Sequence, residues 1–367
     1  MTRIPFARFP FPDPNLTEKA IERHLRQHLV RLIAPKIGME PPLNADGAID
    51  KARHKEMLES IDLPYEKTKR LRERAARIVQ RRAAKSPLSR LKTDDRKRIM
   101  PLRDGVELIG IPNEHRADEL AAALHAEFPW MGPATEVVWH AMRQSVQRGD
   151  AGLRLPPILL DGPPGIGKSH WARRLGTLIG VPGMVYDATT ENASFGLVGS
   201  QRGWSNAAPG RLVNLILTER VANPVVVVDE VEKAGTAQSD KGRSFDLTAA
   251  LLPLLEPLSA QNWTCPYFEL PFDMGWIIWV LTSNDWRRLP DPLLNRCPPI
   301  RLGPPTLEHL VNFAACEGAR QGLSPEAVDA IRAALEWAGR QDRLPTLRTV
   351  LRLLDRAEQM QQRPPLQ

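Results

Sequence analysis

Residues 162–169 read GPPGIGKS, a G-x-x-x-x-G-K-[ST] pattern that directly follows the apolar run PILLD and precedes a helical stretch. Phosphate binding is the chemistry such a loop serves. Gly162, Gly165 and Gly167 let the backbone close round phosphate oxygens, and the free N–H groups opening the next helix point at the same anion. The candidate phosphate-binding stretch therefore runs through Gly162, Pro163, Pro164, Gly165, Ile166, Gly167, Lys168, Ser169 and His170. Lys168 is expected to reach the β and γ phosphates of a nucleotide, and the Ser169 hydroxyl to ligate Mg²⁺. The bland alternative is a glycine-rich turn, and the position between a strand and a helix argues against it.

A second signal is independent of the first. PVVVVDE is an apolar run ending in Asp229 and Glu230. The first carboxylate can hold a metal, and the second can polarise the water that attacks a γ phosphate. WIIWVLTSND ends another apolar run at Asn284, whose amide suits contact with both the γ phosphate and that water, or equally a turn. DPLLNR places Arg296 at the end of a short helical turn, and LPTLRTVLR places Arg348 at the start of the last helical segment. Each arginine reads locally either as a surface cation or as a group neutralising developing phosphate charge.

The elements that must position these residues are short apolar runs, PILLD, GMVYD, PVVVVDE, WIIWVLT and PPIRL, alternating with helical segments. That alternation predicts an α/β domain with a buried parallel sheet over residues 106–303. Three helical segments follow, from Thr306, from Ser324 with Pro325 at the first helical position, and from Pro345 to about Gln359, predicting a helical lid over 304–367. Residues 1–105 read as a helical, basic region with no convincing strand. One amphipathic helix spans 16–33 with Ile21, Leu25, Leu29 and Leu32 on its apolar face. Another runs from about Tyr65 to Ala84 with Leu71, Ala75, Ile78 and Val79 as its stripe.

Across all 367 residues, 42% are apolar, which excludes a disordered chain. Net charge is +7, yet residues 67–98 hold fourteen Lys or Arg against three acids, so the rest of the chain is slightly acidic. This basic segment could contact nucleic-acid phosphates, dock an acidic partner, or simply be a solvated helix face. Cys265, Cys297 and Cys316 have neither disulfide-framework nor zinc spacing. The N-terminus lacks a signal-peptide core, and the longest apolar run, MGWIIWVL, is too short to span a membrane. The expected location is the cytoplasm.

Taken in order, GPPGIGKS, VVVVDE, LTSND, LLNR and TLR resemble the Walker A, Walker B, sensor 1, arginine finger and sensor 2 motifs of AAA+ ATPases. Over about 155–360, the runs AAPGRLVNLI, NPVVVVDEVEK, ALLPLLEP, FELPFDM and LPDPLLNR are similar to the ATPase module of Lon proteases. The resemblance implies a P-loop α/β domain with a helical lid, assembled as a homo-hexameric ring with Mg-ATP between subunits. Arg296 would serve the neighbouring subunit's nucleotide, and Arg348 its own.

The resemblance also implies a pore loop at RGWSNAAPGR, where Trp204 would grip a protein substrate; the two residues after it, Ser205 and Asn206, are polar where Lon proteases carry a β-branched residue and a glycine. Trp204 packed as core is the alternative. After Arg348 only nineteen residues remain, too few for the Lon peptidase domain, and neither G-x-S-x-G nor H-E-x-x-H occurs. Protein remodelling without intrinsic proteolysis is the leading expectation, and a nucleic-acid-associated ATPase using residues 67–98 is the alternative.

Overall fold

The computed structural model describes the chain except residues 1, 45, 191–193, 204–205, 235, 239–243, 342–344 and 363–367, and gives only the backbone of 236–238 and 244–245. It divides into two compact units, residues 1–8 with 101–367, and residues 9–100.

The larger unit is built on a five-stranded sheet in the order Pro299–Arg301, Ile158–Asp161, Ile278–Ser283, Val225–Asp229 and Gly183–Asp187. Every neighbouring pair is parallel. These are the five apolar runs read from the sequence. Val225 to Val228 and Ile278 to Ser283 are all buried, because helices cover both sheet faces. The first of these strands in the chain has later strands on both sides, so the chain must leave the sheet at its C-terminal end, where crevices form.

Helices Leu307–Arg320, Pro325–Arg340 and Leu347–Gln361 follow the sheet. Each opens on a hydroxyl N-cap, Thr306, Ser324 and Thr346, whose oxygen accepts a backbone N–H three residues on. The first is fastened to the loop-following helix Lys168–Ile179 through Glu127 at the end of helix Glu114–Glu127. Its carboxylate accepts from Arg174 at 2.7 Å and from Arg320 at 2.7 Å, and is nearly buried. Burial alone would raise its pKa, but the hydrogen bonds from the two guanidinium groups outweigh it and hold the carboxyl below the ordinary 4.5.

Removing this carboxylate is expected to destabilise. Glu127→Ala should cost about 2–3 kcal/mol, under the ~3–5 kcal/mol of a fully buried pair because both arginines keep some water contact. A group with a depressed folded pKa stabilises above its unfolded value and loses that contribution as pH falls through the folded one. Denaturation of wild type and Glu127→Ala should therefore differ most near neutrality and converge in acid; a gap independent of pH would exclude the ion cluster as its source.

One expectation fails at the N-terminus. Residues 2–4 form a strand that pairs antiparallel with Val106–Leu108, so the first residues belong to the α/β unit. Its three-residue length left too short a pattern to read. Phe6 then stacks on Phe272 with ring centroids 5.2 Å apart.

The smaller unit is helical. The first helix spans Glu18–Ile33 and buries Ile21 and Val30, whereas Leu32, expected on the apolar face, is 54% exposed. Val30 takes the inward position. The long helix Tyr65–Lys85 buries Ala75 and half-buries Leu71, Ile78 and Val79. Helices Lys51–Glu59 and Thr93–Ile99 carry no clear apolar stripe and were not expected.

All three cysteines are free thiols, with Cys265 and Cys297 buried and Cys316 exposed. Burial pushes the Cys297 thiol up to about 12 and also raises Cys265. Native protein should thus titrate one thiol with an aromatic disulfide reagent and three when unfolded, with Cys316→Ser abolishing the native reaction.

Candidate functional site

Strands Ile158–Asp161, Ile278–Ser283 and Val225–Asp229 end side by side, so the loops leaving them meet at one edge of the sheet. The glycine loop follows the first. Gly165 and Gly167 have φ of +79° and +95°, the left-handed region in which a β carbon is costly. Space forbids one as well: a Cβ on Gly167 would lie 2.3 Å from Leu347 Cδ2, and on Gly165 3.0 Å from Thr346 Cβ. The start of the last helix is seated on this loop. The Leu347 N–H donates to Gly165 O at 3.0 Å, and Arg348 lines the adjoining cleft.

That cleft, about 230 Å³, is also lined by Lys168, Ser169, Asp229, Glu230 and Asn284. Lys168 is 7% exposed, and its Nζ donates to Gly162 O at 2.7 Å, Pro163 O at 3.1 Å and Asn284 Oδ1 at 2.9 Å. Burial lowers its pKa, against the pull of the carboxylates of Asp229, Glu232, Asp161 and Glu230. An anion in the cleft would offset that desolvation penalty by stabilising the charged ammonium. The structure thus fits a phosphate group at the loop.

Ser169 Oγ donates to Asp229 Oδ1 at 2.8 Å, and the Thr282 hydroxyl donates to the same oxygen. A hydroxyl and a carboxylate held together are the hard oxygen donors that Mg²⁺ takes, so these residues fit that ion.

Glu230 has φ +52°, a left-handed conformation that a non-glycine residue adopts at a cost of roughly 1–3 kcal/mol. Surrounding bonds hold it there. Its N–H donates to Thr282 Oγ1 at 3.0 Å, its Oε1 accepts from Asn284 Nδ2 at 3.2 Å, and its Oε2 accepts from Lys233 Nζ at 2.7 Å. The Lys233 bond is the main cause of a lowered pKa, so the carboxylate is ionised at neutral pH. Asn284 stands between Lys168 and Glu230, its N–H donating to Glu232 Oε1 at 3.1 Å.

Pro164 and His170 also line the cleft, while Ile166 is buried with its carbonyl accepting from Trp130 Nε1 at 2.8 Å. His170 packs 5.7 Å from Phe128 and 5.8 Å from Phe313, and burial lowers its pKa. Arg296 is not brought to this group: its Nη1 donates to Pro292 O at 2.9 Å and its Nε lies 3.3 Å from Glu256 Oε2. Trp204 and Ser205 lie outside the described residues.

Sequence reasoning missed Thr282, Lys233 and Leu347, and also Arg173 and Leu351, which line the cleft. Arg173 was findable, since it falls four residues after Ser169 on the same helix face. Thr282 was signalled only by being a hydroxyl inside an apolar run.

Residues 158–304 match the model of the ATPase family associated with various cellular activities, AAA. The chain is 36% identical to the peroxisomal Lon protease homolog 2 of Pichia angusta over 42% of its length and 16% of the relative's. It is 33% identical to the Lon protease of Treponema pallidum over 47% of its length and 18% of the relative's. With the Lon protease of Magnetococcus marinus it shares 26% identity over 78% of its length and 34% of the relative's. The matched regions thus span about a third or less of these relatives. The sheet order, the glycine loop and the family match agree: residues 158–304 form an α/β domain that matches the AAA ATPase family, in a chain similar to part of the Lon proteases.

Proposed function

We propose that the chain hydrolyses ATP and uses the energy to remodel protein substrates. The observation that carries the hydrolytic half is the convergence of Lys168, Asn284 and Glu230 in one hydrogen-bonded row beside Ser169 and Asp229. Lys168 and the loop N–H groups would hold the β and γ phosphates. Ser169 and Asp229 would hold Mg²⁺, which when bound neutralises charge developing on the phosphoryl oxygens. Glu230 would accept a proton from the attacking water, with Asn284 orienting both water and carboxylate. Arg348, seated over the loop by Leu347, would add positive charge from the lid of the same subunit, and Arg296 would act across a subunit interface in a ring, a homo-hexamer by likeness to AAA+ ATPases. The domain limits we adopt are 106–303 for the α/β domain and 304–367 for the lid.

The remodelling half rests on relationship to Lon proteases and on Trp204 at the expected pore position. Within these 367 residues we expect no proteolysis, since neither G-x-S-x-G nor H-E-x-x-H is present. Two buried thiols suit a reducing compartment, and we place the chain in the cytoplasm. The test is substrate trapping: Glu230→Gln should hold ATP and co-purify with protein clients. Recovery of nucleic acid in their place would favour the alternative reading, in which the basic residues 67–98 contact phosphates. Trp204→Ala should keep ATP turnover and lose substrate movement; a variant that unfolds would instead mark Trp204 as core.

A further inference from the structure

The smaller unit contains a cavity of about 590 Å³ between helices Glu18–Ile33 and Lys51–Glu59. Arg23, Arg26 and Arg31 line it from the first helix, and Lys51 and Lys55 from the second. One carboxylate, Glu59, faces them, 4.0 Å from Lys55. Between these cations lie Val30 and Leu58. Both belong to a small core, in which Val30, Ala34, Ile61 and Leu63 are the fully buried members and Leu58 packs at the edge. Helix Lys51–Glu59 itself contributes no fully buried residue, so Leu58 is only half-buried where it meets the cleft, while Val30 beneath it is buried.

His54 supplies an independent observation. It lines the cavity, and its Nδ1 is buried with no hydrogen-bond partner among the described residues. A buried nitrogen in that state carries an uncompensated desolvation cost until a partner reaches it.

We propose that this cleft docks an acidic, amphipathic segment of a partner protein, its apolar side chains on Leu58 and the aliphatic stems of the arginines and lysines beside it, and its carboxylates on their charged ends. A nucleic acid would meet the cations but gain nothing from an apolar floor, and no Phe, Tyr or Trp lines the cleft to stack on a base. An apolar stripe flanked by carboxylates matches both features, as helix-in-groove recognition requires. The inference is independent of the reading of the nucleotide site.

The test uses the full chain and a labelled twenty-residue peptide with leucines on one helical face and glutamates on the other, followed by fluorescence anisotropy. Arg26→Glu with Lys55→Glu should weaken binding roughly tenfold or more, as reversal of complementary charge does. Arg70→Glu with Arg81→Glu, on the exposed face of the long helix, should leave it within about twofold, as charges outside a contact do. Equal loss in both double variants would overturn the proposal by showing attraction to overall charge. So would tighter binding of duplex DNA that depends on Arg26 and Lys55, or undiminished binding when the peptide's leucines become serines. Circular dichroism of each variant separates lost binding from lost fold. Leu58→Ala, which trims the floor without adding charge, should weaken the leucine peptide and leave the serine version unchanged.

Discussion

Glu230→Gln is expected to bind ATP with near-normal affinity and to turn it over roughly 10²- to 10⁴-fold more slowly, the range for losing a general base. The substitution keeps shape and hydrogen-bonding capacity while removing the charge. Asn284 Nδ2 can still donate to the amide oxygen, so the row from Lys168 through Asn284 survives. What disappears is the proton acceptor. Lys233, 2.7 Å from Glu230 Oε2, loses its ionic partner, but its side chain is 45% exposed and water replaces the bond at little cost. The left-handed backbone at Glu230 is maintained by the N–H bond to Thr282, which the substitution does not touch. Single-turnover measurement with bound ATP checks this directly. Hydrolysis at the wild-type rate would remove Glu230 from the base role, and loss of ATP affinity would make it a phosphate-site residue.

Much of this centre is readable from sequence because its parts are local. Eight consecutive residues make the proposed phosphate loop, and Asp229 and Glu230 are adjacent at the end of an apolar strand. Parallel strands buried on both faces produce unbroken apolar runs, which is why all five sheet strands were identifiable while the pairing of residues 2–4 with 106–108 was not. Three-residue strands carry too little periodicity. The clamp of Leu347 on Gly165 joins positions 182 residues apart, and no spacing rule predicts it. Its only trace is negative, namely that Gly165 and Gly167 must lack side chains because the last helix occupies that space. The exposure of Leu32 shows the converse limit: helical periodicity names a face only approximately, and packing picked Val30, two residues earlier. Thr282 and Lys233 act through bonds to Asp229 and Glu230, so their relevance appears only once those carboxylates are placed.

Arg296→Ala should retain ATP binding and lose hydrolysis by ~10³- to 10⁵-fold, the usual worth of an arginine finger. The geometry within one chain explains why binding survives. Arg296 does not line the proposed nucleotide cleft, and its guanidinium is turned to Pro292 O and Glu256. Its Nε is buried without a well-aligned acceptor, although Glu256 Oε2 lies 3.3 Å away, so holding this side chain in place brings the isolated chain little stabilisation. The proposed role gives it a target outside its own subunit. Mixing decides the matter. Arg296→Ala keeps an intact phosphate loop, and Lys168→Ala keeps an intact arginine, so each alone should be inactive. If Arg296 acts across an interface, co-assembly pairs the sound loop of one with the arginine of the other, and part of the activity returns. If Arg296 acts within its own chain, no mixture recovers activity, because no subunit then holds both groups. Recovery that rises and falls with the mixing ratio, peaking between the two pure variants, is the expected result.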